Sequence, residues 1–406
     1  MSKRKKGVLP RLRFPEFRDA GPWEIKPLGE LLVGPPEYGI NAPAVPYSEC
    51  LPTYLRITDI AGDGSGIREE KVSVARNVSK ENYLCEGDIV LARTGASVGK
   101  SYKYKKENGP LVFAGFLIRI RPNRDKLNDE FLYQYFFTEQ YWRWVSHTSA
   151  RSGQPGINSS EYASLPLPMP LSSPEQQKIA DYLSSWDEVI DLEGQKLDAL
   201  NAHKKGLMQQ LFPCEGETIP RLRFPEFRDA GEWEVKQLGE VCQMTAGEFV
   251  AASKIKEATA DNLYPCYGGN GLRGFTETFT HEGIYPLIGR QGALCGNITL
   301  AKGKFHATEH AIVAAPRKNT VINWLYYQLV RLNLNQFATG QAQPGLSVAN
   351  LNGVPVAIPK EEYEQQKIAD CLSSLDEVID LEAQKLEELK AHKKGLMQQL
   401  FPQEVD

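Results

Sequence analysis

One stretch of twelve residues, PRLRFPEFRDAG, occurs at Pro10–Gly21 and again, letter for letter, at Pro220–Gly231. The likeness continues as WEIKPLGE (Trp23–Glu30) against WEVKQLGE (Trp233–Glu240). A longer block, EQQKIADYLSSWDEVIDLEGQKLDALNAHKKGLMQQLFP, runs Glu175–Pro213. It returns at Glu364–Pro402 with 6 differences in 39 positions, near enough to identity to form the same element twice. The first block repeats at an offset of 210 and the second at 189, so the later intervening region is 21 residues shorter. Between the blocks the copies diverge and only landmarks remain. RTGASVG (Arg93–Gly99) aligns with RQGALCG (Arg290–Gly296), and QPGINSSEYASLPLP (Gln154–Pro168) with QPGLSVANLNGVPVA (Gln343–Ala357). Such a chain must fold as two related halves, with a pseudo-two-fold relation inside one polypeptide.

The repeated long block has the pattern of a coiled-coil helix. Seam positions recur at alternating steps of four and three: Trp186, Ile190, Glu193, Leu197, Leu200, Lys204, Leu207 in the first copy, and Leu375, Ile379, Glu382, Leu386, Leu389, Lys393, Leu396 in the second. Ser173 and Pro174 suit a helix start, and Gln176 stands at capping-box spacing. Each seam is interrupted by charges, Glu193 and Lys204 in one copy, Glu382 and Lys393 in the other. A parallel in-register pair would set like charges together. An antiparallel pair with Glu193 against Lys393 sets Lys204 against Glu382, and that register is the expectation. It also places Trp186 by Leu400 and Ile190 by Leu396. The overlap spans about 39 Å at ~1.5 Å per residue, close to one turn of DNA at about 34–36 Å.

Each variable region reads as strands followed by a helix, an α+β pattern. In the first, TYLRITDI, GDIVLAR and PLVFAGFLIRIRP are strand-like and Asp125–Ser146 helical. In the second, GIYPLIGR, GNITLAKG and HAIVAAP precede a helix near Val321–Phe337. Two motifs here imitate enzymes. LARTGASVGKS (Leu91–Ser101) ends like a phosphate-binding loop, but Gly95 and Gly99 are one residue too close and SYKYKK alternates like a strand. Its counterpart has Asn297 where Lys100 stands, so the stretch is expected to be a glycine turn holding Arg93 and Thr94, or Arg290 and Gln291. HATEH (His306–His310) matches a zinc-protease pattern, which needs a helix; the strand-like AIVAAP that follows argues against one.

Charge is distributed unevenly. Each long helical block sums to −3, an acidic solvated face, whereas Arg93–Lys126 holds nine Lys and Arg against two acids. Tyr102, Tyr104, Phe113 and Phe116 interleave there. In the second region Arg290, Lys302 and Lys304 flank the matching turn, and LYPCYGGNGLRG adds Tyr267, Asn270 and Arg273. Cations bind phosphates, and Asn, Gln and Arg read base edges. The residues expected at DNA are therefore Arg93, Thr94, Lys100, Tyr102, Lys103, Lys105, Tyr267, Asn270, Arg273, Arg290, Gln291, Asn297, Lys302 and Lys304. Asn270, Gln291 and Asn297 have no evident twins in the first half, where Thr94 and Lys100 stand.

The rest of the composition excludes more than it suggests. No apolar run nears the ~20 residues of a membrane span, and the basic MSKRKKG is followed by no apolar signal region. Seven cysteines are scattered singly, without a C-x-x-C pair, which suits a reducing cytoplasm and gives no structural zinc signature.

RFPEF…WE…LGE, a variable region and EQQKIADYLSS.DEVIDL, all repeated, resemble the specificity subunit of a Type I restriction–modification system. YGGNGLRG and IGRQGALCGNI…ATEHA resemble the target recognition domains of that family. The resemblance implies an α+β fold with two globular target recognition domains and two long helices in an intramolecular antiparallel coiled coil. The expected boundaries are 1–174 for the first recognition domain, 175–213 for the central helix, 214–363 for the second domain and 364–406 for the C-terminal helix. It further implies a non-catalytic subunit that binds a bipartite target in double-stranded DNA. Its partners would be two adenine-N6 modification subunits and the restriction subunits. S-adenosylmethionine, ATP and magnesium would belong to those partners, and no cofactor to this chain. The alternative is a stand-alone DNA methyltransferase or nuclease with an unrecognised site.

Overall fold

A computed structural model describes residues 7–61, 66–67, 70–150, 154–257, 260, 262–292, 294–340 and 344–403. The basic tip at residues 1–6 and Gln343 of the second QPG landmark lie outside the described residues. The chain divides into two units, Met1–Gln195 with Gln384–Asp406, and Lys196–Ala383. Each unit thus contains one variable region, half of the central helix and half of the C-terminal helix.

In the first unit two four-stranded sheets carry the variable region. One has the order Glu37–Tyr38, Leu117–Ile120, Ile89–Ala92, Ser101–Lys103; the other Ala44–Pro46, Val72–Val74, Thr53–Leu55, Leu111–Phe113. The expected strand across PLVFAGFLIRIRP is broken by a turn at Ala114–Phe116, where the Leu117 amide donates back to the Ala114 carbonyl. The helix expected over Asp125–Ser146 is two helices, Asp129–Tyr135 and Glu139–Ser149. Asn128 and Thr138 each cap one by accepting a backbone N–H, so Thr138 restarts what periodicity alone reads as continuous. In the second unit one six-stranded sheet does the same work, in the order Cys242–Ala246, Ala311–Pro316, His281–Gly289, Ile298–Ala307, Tyr264–Gly268, Gly271–Thr276. Helix Ile322–Arg331 packs on it, with Trp324, Leu325 and Leu329 fully buried.

The repeated N-terminal segment makes the same structure twice. Glu24–Pro27 pairs antiparallel with Pro166–Met169, and Glu234–Gln237 with Pro355–Ile358. Each segment then closes on the start of a long helix. The Arg13 guanidinium grips Glu175 at 2.7 and 2.8 Å, and the Trp23 indole N–H adds a third bond at 3.1 Å. Arg223, Glu364 and Trp233 repeat this at 2.7, 2.8 and 3.2 Å. Both carboxylates are almost wholly buried, so their charge depends on these donors rather than on water. Gln176 does not close a capping box. Its side chain donates to Lys126 O and Pro170 O and accepts from Asn128 N, tying the helix start to the domain instead.

The two long helices are Ser173–Leu211 and Glu362–Leu400. Within each unit they run antiparallel. In the first, Asp187 pairs with Lys393 and Glu193 with Lys385, and Trp186 lies 4.8 Å from the His392 ring. In the second, Lys196 pairs with Glu382 and Lys204 with Asp376. The orientation is as expected; the register is not. Lys393 meets Asp187 rather than Glu193, and Glu193 meets Lys385, eight positions before its expected partner. The helices are slid by about one heptad. A seam repeating every seven residues keeps its apolar contacts after such a slide, so seam pattern alone cannot choose the register. Seam charges are instead met by flanking charges. Among the described residues, no helix is long and apolar enough to cross a membrane.

Candidate nucleic-acid interface

The stretch Arg93–Gly99 forms a turn between strands Ile89–Ala92 and Ser101–Lys103. Gly99 takes φ +87° and donates its N–H to Ala92 O at 3.0 Å; the Ala92 N–H reaches Lys100 O at 2.8 Å. Gly95, at φ +69°, donates to Pro155 O at 3.0 Å. The second domain repeats each feature. Gly296 takes φ +88° and donates to Gly289 O at 2.8 Å, the Gly289 N–H reaches Asn297 O at 2.8 Å, and Gly292, at φ +88°, donates to Pro344 O at 3.0 Å. Positive φ explains why the glycines survive where the letters between them do not.

Each turn carries an arginine against a second turn. Arg93 Nη1 donates to Gly115 O at 3.3 Å and its guanidinium lies 4.9 Å from the Tyr38 ring centroid. The Ser159 side chain, and its amide at 3.1 Å, hydrogen-bond the Tyr38 hydroxyl, which lowers the Tyr38 pKa. Arg290 Nη1 donates to Glu309 O at 3.4 Å. Gln291 Oε1 lies 2.9 Å from His310 Nδ1, and His310 Nε2 lies 3.3 Å from Glu309 Oε1. Asn297 donates to Asn270 Oδ1 at 3.1 Å, which places both exposed amides beside this pair's turn. The turns therefore gather Arg93, Thr94 and Lys100 in one domain, and Asn270, Arg290, Gln291 and Asn297 in the other.

Other expected residues stand elsewhere. Tyr102 is 1% exposed in a core cluster, its hydroxyl bonded by Asn108 and the Lys105 amide. Burial raises its pKa, and a ring enclosed there has no face for a base. Lys103 is held by Glu130 at 2.6 Å and Asp129 at 3.0 Å, so its charge is already matched. Tyr267 packs edge-on against Phe305, 5.8 Å between centroids. Lys105, Arg273 and Lys302 are exposed cations, and Lys304 lies over the Phe279 ring at 4.9 Å. Phe116 and His310, absent from the expected set, stand on the second turn of each domain. Their counterparts cannot be aligned from sequence, because loops of different length separate them from the arginine turn. HATEH itself ends strand Ile298–Ala307 and enters that turn, so its two histidines do not share a helix face.

The family model described as "Type I restriction modification DNA specificity domain" matches residues 53–202 and 230–391. The chain is 34% identical over 329 residues to the Type I restriction enzyme EcoprrI specificity subunit of Escherichia coli, covering 80% of each. It is 24% identical over 422 residues to the Type I restriction enzyme MjaVIII specificity subunit of Methanocaldococcus jannaschii, covering 96% of this chain and 93% of that one. Among solved structures, the S subunit of a Type-I restriction-modification system from M. genitalium shares the fold. Its TM-score is 0.62 at 16% identity, over 98% of this chain and 100% of that one.

Proposed function

Because the chain belongs to the Type I restriction–modification specificity-subunit family, we propose that its two variable domains each read one half of a bipartite target in double-stranded DNA. Residues 1–174 and 214–363 are the reading domains; the helices 175–213 and 364–406 set their spacing and dock two modification subunits. The observation that carries this reading is the arginine–glycine turn built twice on one backbone frame with different outward side chains. A constant frame positions, and variable side chains discriminate. Arg93, Lys100, Lys105, Arg273, Arg290, Lys302 and Lys304 serve phosphates, while Thr94, Asn270, Gln291 and Asn297 face bases. Tyr102, Lys103 and Tyr267 support the domains from inside rather than touch DNA.

Methyl transfer to adenine, translocation and cleavage belong to partner subunits, which supply S-adenosylmethionine, ATP and magnesium. The complex works in the cytoplasm, where its DNA lies and where free cysteines stay reduced. The alternative, a stand-alone modifying enzyme, gains nothing from the two enzyme-like motifs, which lie on a glycine turn and a strand end. Sequencing the methylome of a host carrying the complete system tests the reading. The expected motif has two specified halves around an unread spacer. A contiguous motif, or methylation by the purified chain alone, would sink it.

Docking makes a further prediction. The same pair of aliphatic positions on the helices stands open to solvent in each unit, Val189 (41%) and Leu192 (64%) in one, Val378 (46%) and Leu381 (65%) in the other. They are the same positions of the repeated block, which suits two identical partners. Leu192→Glu with Leu381→Glu is expected to weaken association with the modification subunits by about tenfold or more, read by sedimentation. The variant's own melting temperature should hold, since neither side chain is core. Unchanged association would remove this face from the interface.

A further inference from the structure

We infer that the two domains read a base through one pair of fold positions filled twice: Thr94 with Phe116 in the first, Gln291 with His310 in the second. This rests on the two-domain reading above and names the side chains that make the domains differ.

The equivalence comes from backbone hydrogen bonds rather than letters. The Arg93 amide donates to Phe116 O at 3.0 Å, and the Arg290 amide to His310 O at 2.9 Å. The Ile157 amide donates to Arg93 O at 2.9 Å, and the Leu346 amide to Arg290 O at 2.8 Å. The turn behind Phe116 is closed by Leu117 N–H on Ala114 O at 2.8 Å, and that behind His310 by Ala311 N–H on Thr308 O at 2.9 Å. Ala114 N–H meets Leu55 O and Thr308 N–H meets Tyr267 O, both at 2.9 Å. Thr94 bridges Gly156 as Gln291 bridges Gly345. Five such coincidences place Phe116 on His310 and Thr94 on Gln291.

On this shared frame the chemistry diverges. His310 Nδ1 and the Gln291 side-chain amide share a hydrogen bond at 2.9 Å, and Glu309 lies at the far side of the ring. The ring engages one end of the amide only, so with either ring nitrogen protonated the amide keeps a free N–H donor and a free carbonyl lone pair. A donor beside an acceptor is the complement of the adenine major-groove edge. Gln291 is therefore the reader and His310 a positioning residue. In the first domain Phe116 is 57% exposed and its ring offers no hydrogen bond. A lone exposed ring ordinarily needs no explanation. This one stands where the sister domain has a hydrogen-bonded polar pair, and Phe116 with Thr94 suits an apolar contact such as the thymine methyl.

The test exchanges the pairs in the assembled complex of this chain with its modification subunits. Thr94→Gln with Phe116→His should change one base pair of the first half-site and leave the second half-site intact; Gln291→Thr with His310→Phe should do the converse. Fluorescence anisotropy on duplexes substituted one base pair at a time gives the size. Wild type should discriminate about 5- to 150-fold at the pair Gln291 reads, and Gln291→Thr should discriminate less than about twofold there. His310→Asn, whose amide can still donate to Gln291, should keep most of the discrimination that His310→Phe loses, which a merely structural role would not produce. The binding series decides the outcome if an exchange abolishes methylation, with melting as the folding control. Unchanged motifs in both exchanges, or unchanged discrimination in Gln291→Thr, would overturn the assignment while leaving the two-domain reading in place. A contiguous wild-type motif would overturn that reading instead.

Discussion

Arg13→Met is expected to destabilise the first unit by about 3–5 kcal/mol, the usual cost of removing one partner of a buried ion pair. Glu175 is 1% exposed and Arg13 9%, so the carboxylate left behind cannot reach water without opening the domain. It would retain the Trp23 indole N–H, a neutral donor that cannot replace a guanidinium gripping both oxygens. The circuit ties the first repeated segment to the start of the central helix. Its loss should therefore appear as a lower unfolding midpoint, roughly 6–20 °C in a unit of this size. Arg223→Met should cost the second unit the same within about 1 kcal/mol, because its partners lie at matching distances. Restoring neutrality with Glu175→Gln in the Arg13→Met background should recover part of the loss. Urea melts followed by hydrogen exchange at each repeated segment separate the units. A change below about 1 kcal/mol would mean that the pair behaves like a surface salt bridge.

Gly289→Ala is expected to abolish reading by the second domain. A Cβ at Gly289 would lie 2.0 Å from the Gly269 carbonyl oxygen and 3.2 Å from Leu294 O. Both obstacles are backbone, so no side chain can rotate away. The segment Gly268–Gly271 must move, taking with it Asn270 and its bond to Asn297. Overpacking of this kind costs about 1–3 kcal/mol. The larger effect is on geometry, since a shift of even an ångström at a recognition turn removes bidentate contacts. The first domain carries Ala92 at the equivalent place, bonded to Lys100 O and Gly99 N as Gly289 is to Asn297 O and Gly296 N. Binding assays on half-site variants should thus show discrimination lost in the second half and kept in the first. Wild-type discrimination in both halves would show that the Gly268–Gly271 segment is not part of the reading surface.

Much of this molecule was legible as letters. The duplicated blocks announce two halves, and the 3.5-residue period over Glu175–Pro213 announces a long helix with an antiparallel partner. The glycine spacing at Gly95 and Gly99 rules out a phosphate loop and leaves a turn. Each of these is local: a period, a steric requirement for positive φ, or a like-charge conflict within one seam. The candidate site was legible only in part. Arg93, Arg290, Gln291 and Asn297 follow from alignment of a short motif and do stand on the turns. Tyr102 and Lys103 carry suitable letters but alternate into the core and into an acidic pair. The letters present Phe116 only as one of the aromatics among the cations and His310 only within HATEH; that they hold one fold position was not legible, because the equivalence runs through strand pairing, Leu111–Phe113 beside Thr53–Leu55 and Ile298–Ala307 beside Tyr264–Gly268.

What the letters alone determined is the kind of element at each place and the fact of a doubled plan, because propensity and period act within a few residues. What tertiary structure decided is partnership across distance. The slide of the coil by a heptad is the plainest case. Within the first unit, Phe401 at the end of one helix packs on Trp23 and Phe131, while Glu175 at the start of the other is clamped by Arg13 and Trp23. Both helix ends are anchored in one core. That core chooses among registers that a repeating seam leaves nearly equal in energy.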